Sequence, residues 1–172
     1  MENFLNLCSK RRSVRSFLPN LPTTESIQYI MECVRLAPSA VNFQPWHFRY
    51  ITQPEKLDLL KECYPREWFG SAPACFIAYR NSEEEWVRRL DNKAHGDIDL
   101  AISIEHLCLA AAEQGLGTCW VCNFNIHKIQ ELFPTKDELS PIALIPIGYP
   151  ADQNEDSCEK KRKKLEEIFS YE

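Results

Sequence analysis

The stretch from Asp97 to Gln114 constrains this chain more than any other. It reads as a helix that is apolar on nearly every side, with Ile98, Leu100, Ala101, Ile102, Ile104, Leu107, Leu109, Ala110 and Ala111, and Gly115 is placed to stop it. A helix of that kind has to be buried on more than one face. The 172 residues allow one full hydrophobic core, whereas two domains would each fall near the lower size limit. A single domain is therefore expected, and a two-fold subunit interface is an economical way to cover the rest of the helix.

The other segments alternate helix and strand. Thr23 or Thr24 can cap a helix whose apolar positions Ile27, Ile30, Met31, Val34 and Ala37 follow helical spacing, with Glu25 near the positive end of its dipole and Pro38 ending it. A short helix around Phe4, Leu5 and Leu7 precedes the polar run Ser9 to Ser16, which reads as too basic and brief to be core. His47 to Ile51, Ala74 to Tyr79 and Ala143 to Gly148 read as strands; Leu57, Leu60 and Tyr64 mark a further helix, and Asn125 can cap one bearing Ile126, Ile129 and Leu132. Arg80 to Gly96 reads as a connection with room for one helical turn, and Thr118 to Phe124 as a strand or extended loop. Strands separated by helices favour α/β or α+β over an all-β sandwich.

Hydrophobic residues at 44% and charged residues at 26% fit an ordinary globular chain. The formal charge of −5 disfavours nucleic acid and anionic lipid as partners unless basic residues gather on one face. Nowhere do 18 uncharged apolar residues run together, so the expectation is a soluble, cytoplasmic protein with no membrane partner. The eight cysteines are scattered through apolar segments, and most of them read as reduced, buried side chains.

Three segments could carry chemistry. Arg11-Arg12-Ser13-Val14-Arg15 puts three guanidiniums and a hydroxyl in five residues, equipment for gripping a phosphate; alone it equally fits a solvated basic turn. Ala37 to Trp46 is a proline-bounded loop that can present Asn42 and Gln44 to the carbonyls of a planar ring, or be an ordinary turn. Gly115 to Phe124 lets backbone N–H groups approach a ligand, or is a helix stop followed by a core strand.

In this order, and with the long apolar helix before the third, these segments resemble the FMN-dependent nitroreductase family over essentially the whole chain. Arg11 to Phe17, Pro38 to Trp46, Gly115 to Trp120, Pro146-Ile147-Gly148-Tyr149-Pro150 and the basic tail Arg162 to Ile168 carry the likeness. The resemblance implies an α+β, three-layer α/β/α fold with a mostly antiparallel central sheet. It implies one FMN-binding domain over 1–172, an intertwined homodimer, and a tail (about 155–172) completing the site. It further implies ping-pong hydride transfer from NADH or NADPH through FMN to a small acceptor such as a nitroaromatic or quinone. By the same resemblance Arg11, Arg12, Ser13, Lys160 and Arg162 hold the phosphate, and Arg15 lies by the ribityl chain and the N1/O2 edge. From the other subunit, Pro38, Ser39, Ala40, Asn42 and Gln44 line the ring, with Trp120, Val121, Cys122 and Asn123 on its opposite side, offering backbone donors near N5 and O4. The family's amide and basic pair ahead of the strand at Ala74 has no counterpart here, Arg66 being the nearest basic residue.

Rival readings are weaker. Cys119-Trp120-Val121-Cys122 has redox or metal-pair spacing, but a zinc site needs two more ligands and the neighbours are apolar. His47, His95, His106 and His127 show no ligand spacing, so no metal is expected, and His106 reads as a packed or interface residue. Gly115 and Gly117 follow a helix instead of opening one, which excludes a dinucleotide-binding fingerprint. A basic tail without aromatic platforms is no nucleic-acid site. A flavin store or sensor without turnover shares every motif with the enzyme.

Overall fold

The computed structural model describes residues 3–151 and 160–172. Residues 152–159, among them the first part of the expected tail, lie outside the described residues.

The expected helices form where their capping residues stand. α1 (Phe4–Lys10) is followed by α2 (Thr24–Arg35), where the Thr23 hydroxyl accepts from the Ser26 N–H at 3.2 Å and Glu25 occupies the first turn. α3 (Pro54–Cys63) starts on proline, and α5 (Ile126–Leu132) on Asn125, whose side chain accepts from Lys128 N–H at 3.1 Å. α4 (Gly96–Glu113) is the long apolar helix, and Gly115, at φ 72°, turns the chain out of it as a left-handed residue must.

Strands β1 (Trp46–Ile51), β2 (Ala74–Asn81), β5 (Gly117–Thr118) and β6 (Leu139–Gly148) form one antiparallel sheet in the order β1-β2-β6-β5. Ser13 adds a parallel bridge to Thr118 at its edge. Side-chain alternation sorts the sheet into two faces. Ala74, Phe76 and Ala78, with Ala143, Ile145 and Ile147, pack against Ile30 and Val34 of α2 and Leu100, Ile104 and Leu107 of α4. Cys75, Ile77, Tyr79 and Leu144 pack on the other side with Leu60 and Cys63 of α3 and Ile129 of α5. Both faces are covered, which is why these strands read as unbroken apolar runs.

Proline in the internal strand β6 has a local reason. Leu144 exchanges backbone hydrogen bonds with Val121 at 2.9 and 3.0 Å, so residue 146 faces the same side. Pro146 therefore turns its missing N–H toward the β5 side, between that bridge and the Thr118–Ile147 pairing, and removes no donor from the β2–β6 ladder.

Two expectations are corrected. The run from Ser9 to Ser16 does contribute to the core, since Val14 is buried and packs with Phe17 and Ala72; the chain runs extended there and alternate side chains turn inward. The connection Arg80 to Gly96 contains no helical turn: β2 continues to Asn81, and β3 (Val87–Arg88) pairs with β4 (Lys93–Ala94) in a short hairpin.

One side of α4 stays uncovered within the chain. Ile98 is exposed, and Ala101, Ile102 and Leu109 are only half-buried, while Phe4 and Leu5 on the neighbouring α1 are 67% and 70% exposed. Ile104, by contrast, is fully buried in the core. Ile104→Ala should destabilise the fold by about 2–5 kcal/mol through lost transfer energy and an unfilled cavity. Urea unfolding should show this as a lower midpoint with an unchanged slope.

Candidate functional site

After α1 the chain passes along β5, with the Val14 N–H donating to the Thr118 carbonyl at 2.8 Å. This approach depends on Gly117, where a Cβ would stand 2.6 Å from Val14 Cγ2. Between the two segments opens a cavity of about 390 Å³, with Lys10, Arg11 and Arg12 on one wall and Gly115, Gly117 and Thr118 on the other. Arg11 Nε lies 3.4 Å from Glu105 Oε1 of α4.

Residue 160 returns to the end of α1. Lys160 Nζ donates to the Cys8 carbonyl at 2.9 Å and to the Arg11 carbonyl. Its ammonium is held below the ordinary lysine value, first by partial burial and then by the positive charges of Arg11, Arg162 and Arg12. Arg162 is exposed, its Nη1 donating to the Lys161 carbonyl at 2.9 Å. Arg11 and Arg12 on the cavity wall thus have Lys160 and Arg162 within electrostatic reach, a donor set that fits a multiply charged anion such as a phosphate monoester.

Arg15 is placed differently. Its guanidinium lies 5.8 Å from the centroid of the Trp68 ring, and among the described residues no carboxylate pairs with it. Burial pushes the Cys119 thiol up, while the Arg15 charge and the Ser13 hydroxyl hold that rise back, so the field of Arg15 reaches the segment that follows β5.

Pro38, Ser39, Ala40, Asn42 and Gln44 form a tight loop at the other end of α4. Val41, Asn42 and Gln44 take left-handed backbone angles at φ 55°, 59° and 53°, which is costly for a β-branched valine. The loop is fixed by the Gln44 N–H donating to Ser39 Oγ at 2.9 Å and by the Ala40 N–H donating to buried Asp99 Oδ1 at 3.0 Å. Asp99 and Glu105, the anchors of the two segments, stand six positions apart on α4, roughly 9 Å of helical rise. Within one chain the arginine segment meets the glycine segment, and no described hydrogen bond or ion pair joins either to the amide loop.

Of the segment after β5, Trp120 is half-buried, with its Nε1 buried and unpartnered; Val121 is buried, and Cys122 and Asn123 are exposed. The expectation of backbone donors here narrows, because Val121 N–H is committed to Leu144. Cys119 is buried and Cys122 exposed, both free. His106 Nδ1 donates to the Cys33 carbonyl at 3.1 Å, a packing role.

Three residues that sequence reasoning missed serve the site. Asp99 and Glu105 carried a signal, since carboxylates on so apolar a helix need partners. Trp68 carried none, being one aromatic among several ahead of β2.

The chain matches the family model described as the Nitroreductase family over residues 8–66 and 55–149. Its fold is similar to the crystal structure of a nitroreductase family protein from Clostridium difficile 630, with a TM-score of 0.89 and 30% identity over 99% of each chain. In sequence it is 29% identical over 161 residues to a Methanothermobacter thermautotrophicus protein provisionally named NADH dehydrogenase/NAD(P)H nitroreductase, spanning 86% of this chain and 78% of the relative. It is 24% identical over 168 residues to FMN reductase (NADPH) of Bacillus subtilis (strain 168), spanning 88% of this chain and 68% of the relative.

Thiol labelling tests the cysteine assignments. With iodoacetamide near neutral pH and peptide mapping, Cys8 and Cys122 should react quickly, and Cys63, Cys75, Cys108 and Cys119 only after unfolding, since burial raises these last four thiols. Equal native reactivity of Cys119 and Cys122 would revive the pair as a redox centre.

Proposed function

The chain belongs to the nitroreductase family, and on that premise we propose that it is a cytoplasmic flavin oxidoreductase binding FMN between two copies of itself. It transfers hydride from NADH or NADPH to a small acceptor such as a nitroaromatic or a quinone. The observation that carries this reading is the gathering of Arg11 and Arg12 on the cavity wall, with Lys160 and Arg162 within electrostatic reach of them and Arg15 paired with no carboxylate among the described residues.

FMN, when bound, would supply two-electron carriage between the nicotinamide and the acceptor, the two reacting in turn. The protein's part is to hold and tune. Arg11, Arg12, Lys160 and Arg162, with the Ser13 hydroxyl, grip the phosphate through charge-assisted bonds, which relieves the repulsion among the cations. Arg15 would stand by the N1/O2 edge, where reduction builds negative charge, and its guanidinium would stabilise the reduced form. The second copy brings Pro38, Ser39, Ala40, Asn42 and Gln44 to line the ring, and Trp120, Val121, Cys122 and Asn123 to its far side. The strained loop suits that task because its shape is set before any ligand arrives. Protons for the acceptor come from water, so no side-chain base is needed. The uncovered stripe of α4, Ile98, Ala101, Ile102 and Leu109, beside exposed Phe4 and Leu5, supports a dimer that buries it.

Purified protein should be yellow and dimeric, and its flavin bands should bleach with NADH or NADPH and return when an acceptor is added. A colourless monomer without affinity for added FMN would overturn the reading. Arg11→Ala and Arg162→Ala should each lose bound flavin, measured as the ratio of flavin to protein absorbance, and full occupancy in both would contradict their role. Arg15→Gln should lower the flavin midpoint by on the order of 20 mV, the equivalent of roughly 1 kcal/mol for an exposed charge in a two-electron couple.

A further inference from the structure

Two arginines of one short segment are held by opposite means. Arg11 has a carboxylate partner, Glu105, at 3.4 Å. Arg15, four residues on, has none among the described residues, and its guanidinium lies instead over the Trp68 indole at 5.8 Å from the ring centroid. An exposed arginine has several rotatable bonds and no preferred direction unless something holds it. A carboxylate would hold it and also cancel its charge. The quadrupole of an aromatic face attracts the cation while carrying no net charge, so it gives direction and leaves the positive field intact.

Trp68 is itself fixed. Its ring meets Tyr64 edge to face at 5.8 Å and Phe69 at 5.9 Å, and these two meet each other at 5.3 Å. The Ser71 hydroxyl donates to the Trp68 carbonyl at 2.7 Å. Phe69 is buried in the core on the α3 side of the sheet, so the platform is tied to the body of the protein and not to a free loop.

We propose that Trp68 is a positioning residue for Arg15, its neutral ring aiming an undischarged guanidinium at the bound flavin and so setting the flavin's reduction potential. The proposal rests on the role given to Arg15 above. The influence of Arg15 on the Cys119 thiol accords with a cation held toward the segment after β5.

Potentiometric titration of the FMN-loaded protein tests it with four variants: Trp68→Leu, Trp68→Phe, Arg15→Gln and the Trp68→Leu/Arg15→Gln double. Trp68→Leu should shift the midpoint downward by no more than Arg15→Gln does, and Trp68→Phe, which keeps a ring, should restore most of the wild-type value. In the double variant the tryptophan change should add nothing, because the cation it aims is gone. Where the leucine variant fails to fold, Trp68→Met keeps bulk without a ring and reads the same quantity. A wild-type midpoint in both ring-less variants overturns the proposal, as does an equal shift with and without Arg15. An Arg15→Gln midpoint that does not move overturns the Arg15 role and this inference together. A shift in Arg15→Gln with Trp68→Leu silent overturns this inference alone.

Discussion

The structure depends first on enclosing α4. An 18-residue helix with hardly a polar side cannot rest on a surface, so α2 and one face of the sheet close over it, with Leu100, Ile104 and Leu107 wholly inside. The other sheet face, bearing Cys75, Ile77 and Tyr79, needs a cover of its own, which α3 and α5 provide. The three layers follow from the demand that neither the helix nor the sheet leave an apolar side in water. The same helix organises the site, because its few carboxylates become anchors: Asp99 for the amide loop and Glu105 for Arg11. The carboxylates of α4 mark places where other segments are held, Asp97 meeting Arg80 and Glu113 the Tyr29 hydroxyl as well, whereas buried Ser103 bonds back to Leu100 within the helix.

Electrostatics sets the second constraint. A chain with a net charge of −5 nonetheless gathers Arg11, Arg12, Lys160 and Arg162 near one another, and the Lys160 ammonium is held down first by burial and then by those charges. Glu105 offsets part of that charge at Arg11, and the remaining positive field favours an anion beside the cluster. Arg15, just outside the crowd, keeps its full charge for a different use.

Much of this was legible in the residues because it rested on local rules. Thr23 and Asn125 cap the helices they should, and Gly115 stops α4 in the left-handed conformation that glycine favours. The unbroken apolar runs at Ala74 and Ala143 are the internal strands. What escaped was non-local or masked by composition. The hairpin Val87 to Ala94 lies in a stretch rich in charge, where two-residue strands leave no periodicity to read. Val14 looked solvated because its neighbours are arginines, though an extended chain turns alternate side chains inward. The commitment of Val121 N–H to Leu144, and the seat of Arg15 on Trp68, both join positions more than twenty residues apart and have no counterpart in local pattern.

The grip of Lys160 on the carbonyls of Cys8 and Arg11 also ties the two ends of the sequence to each other. The helix it holds, α1, has seven residues and buries none of its side chains, so little else fixes it in place. The ammonium stands at the negative end of that helix's dipole, which favours the contact. Helix and lysine are therefore mutually dependent, and loosening either end of the polypeptide loosens the other.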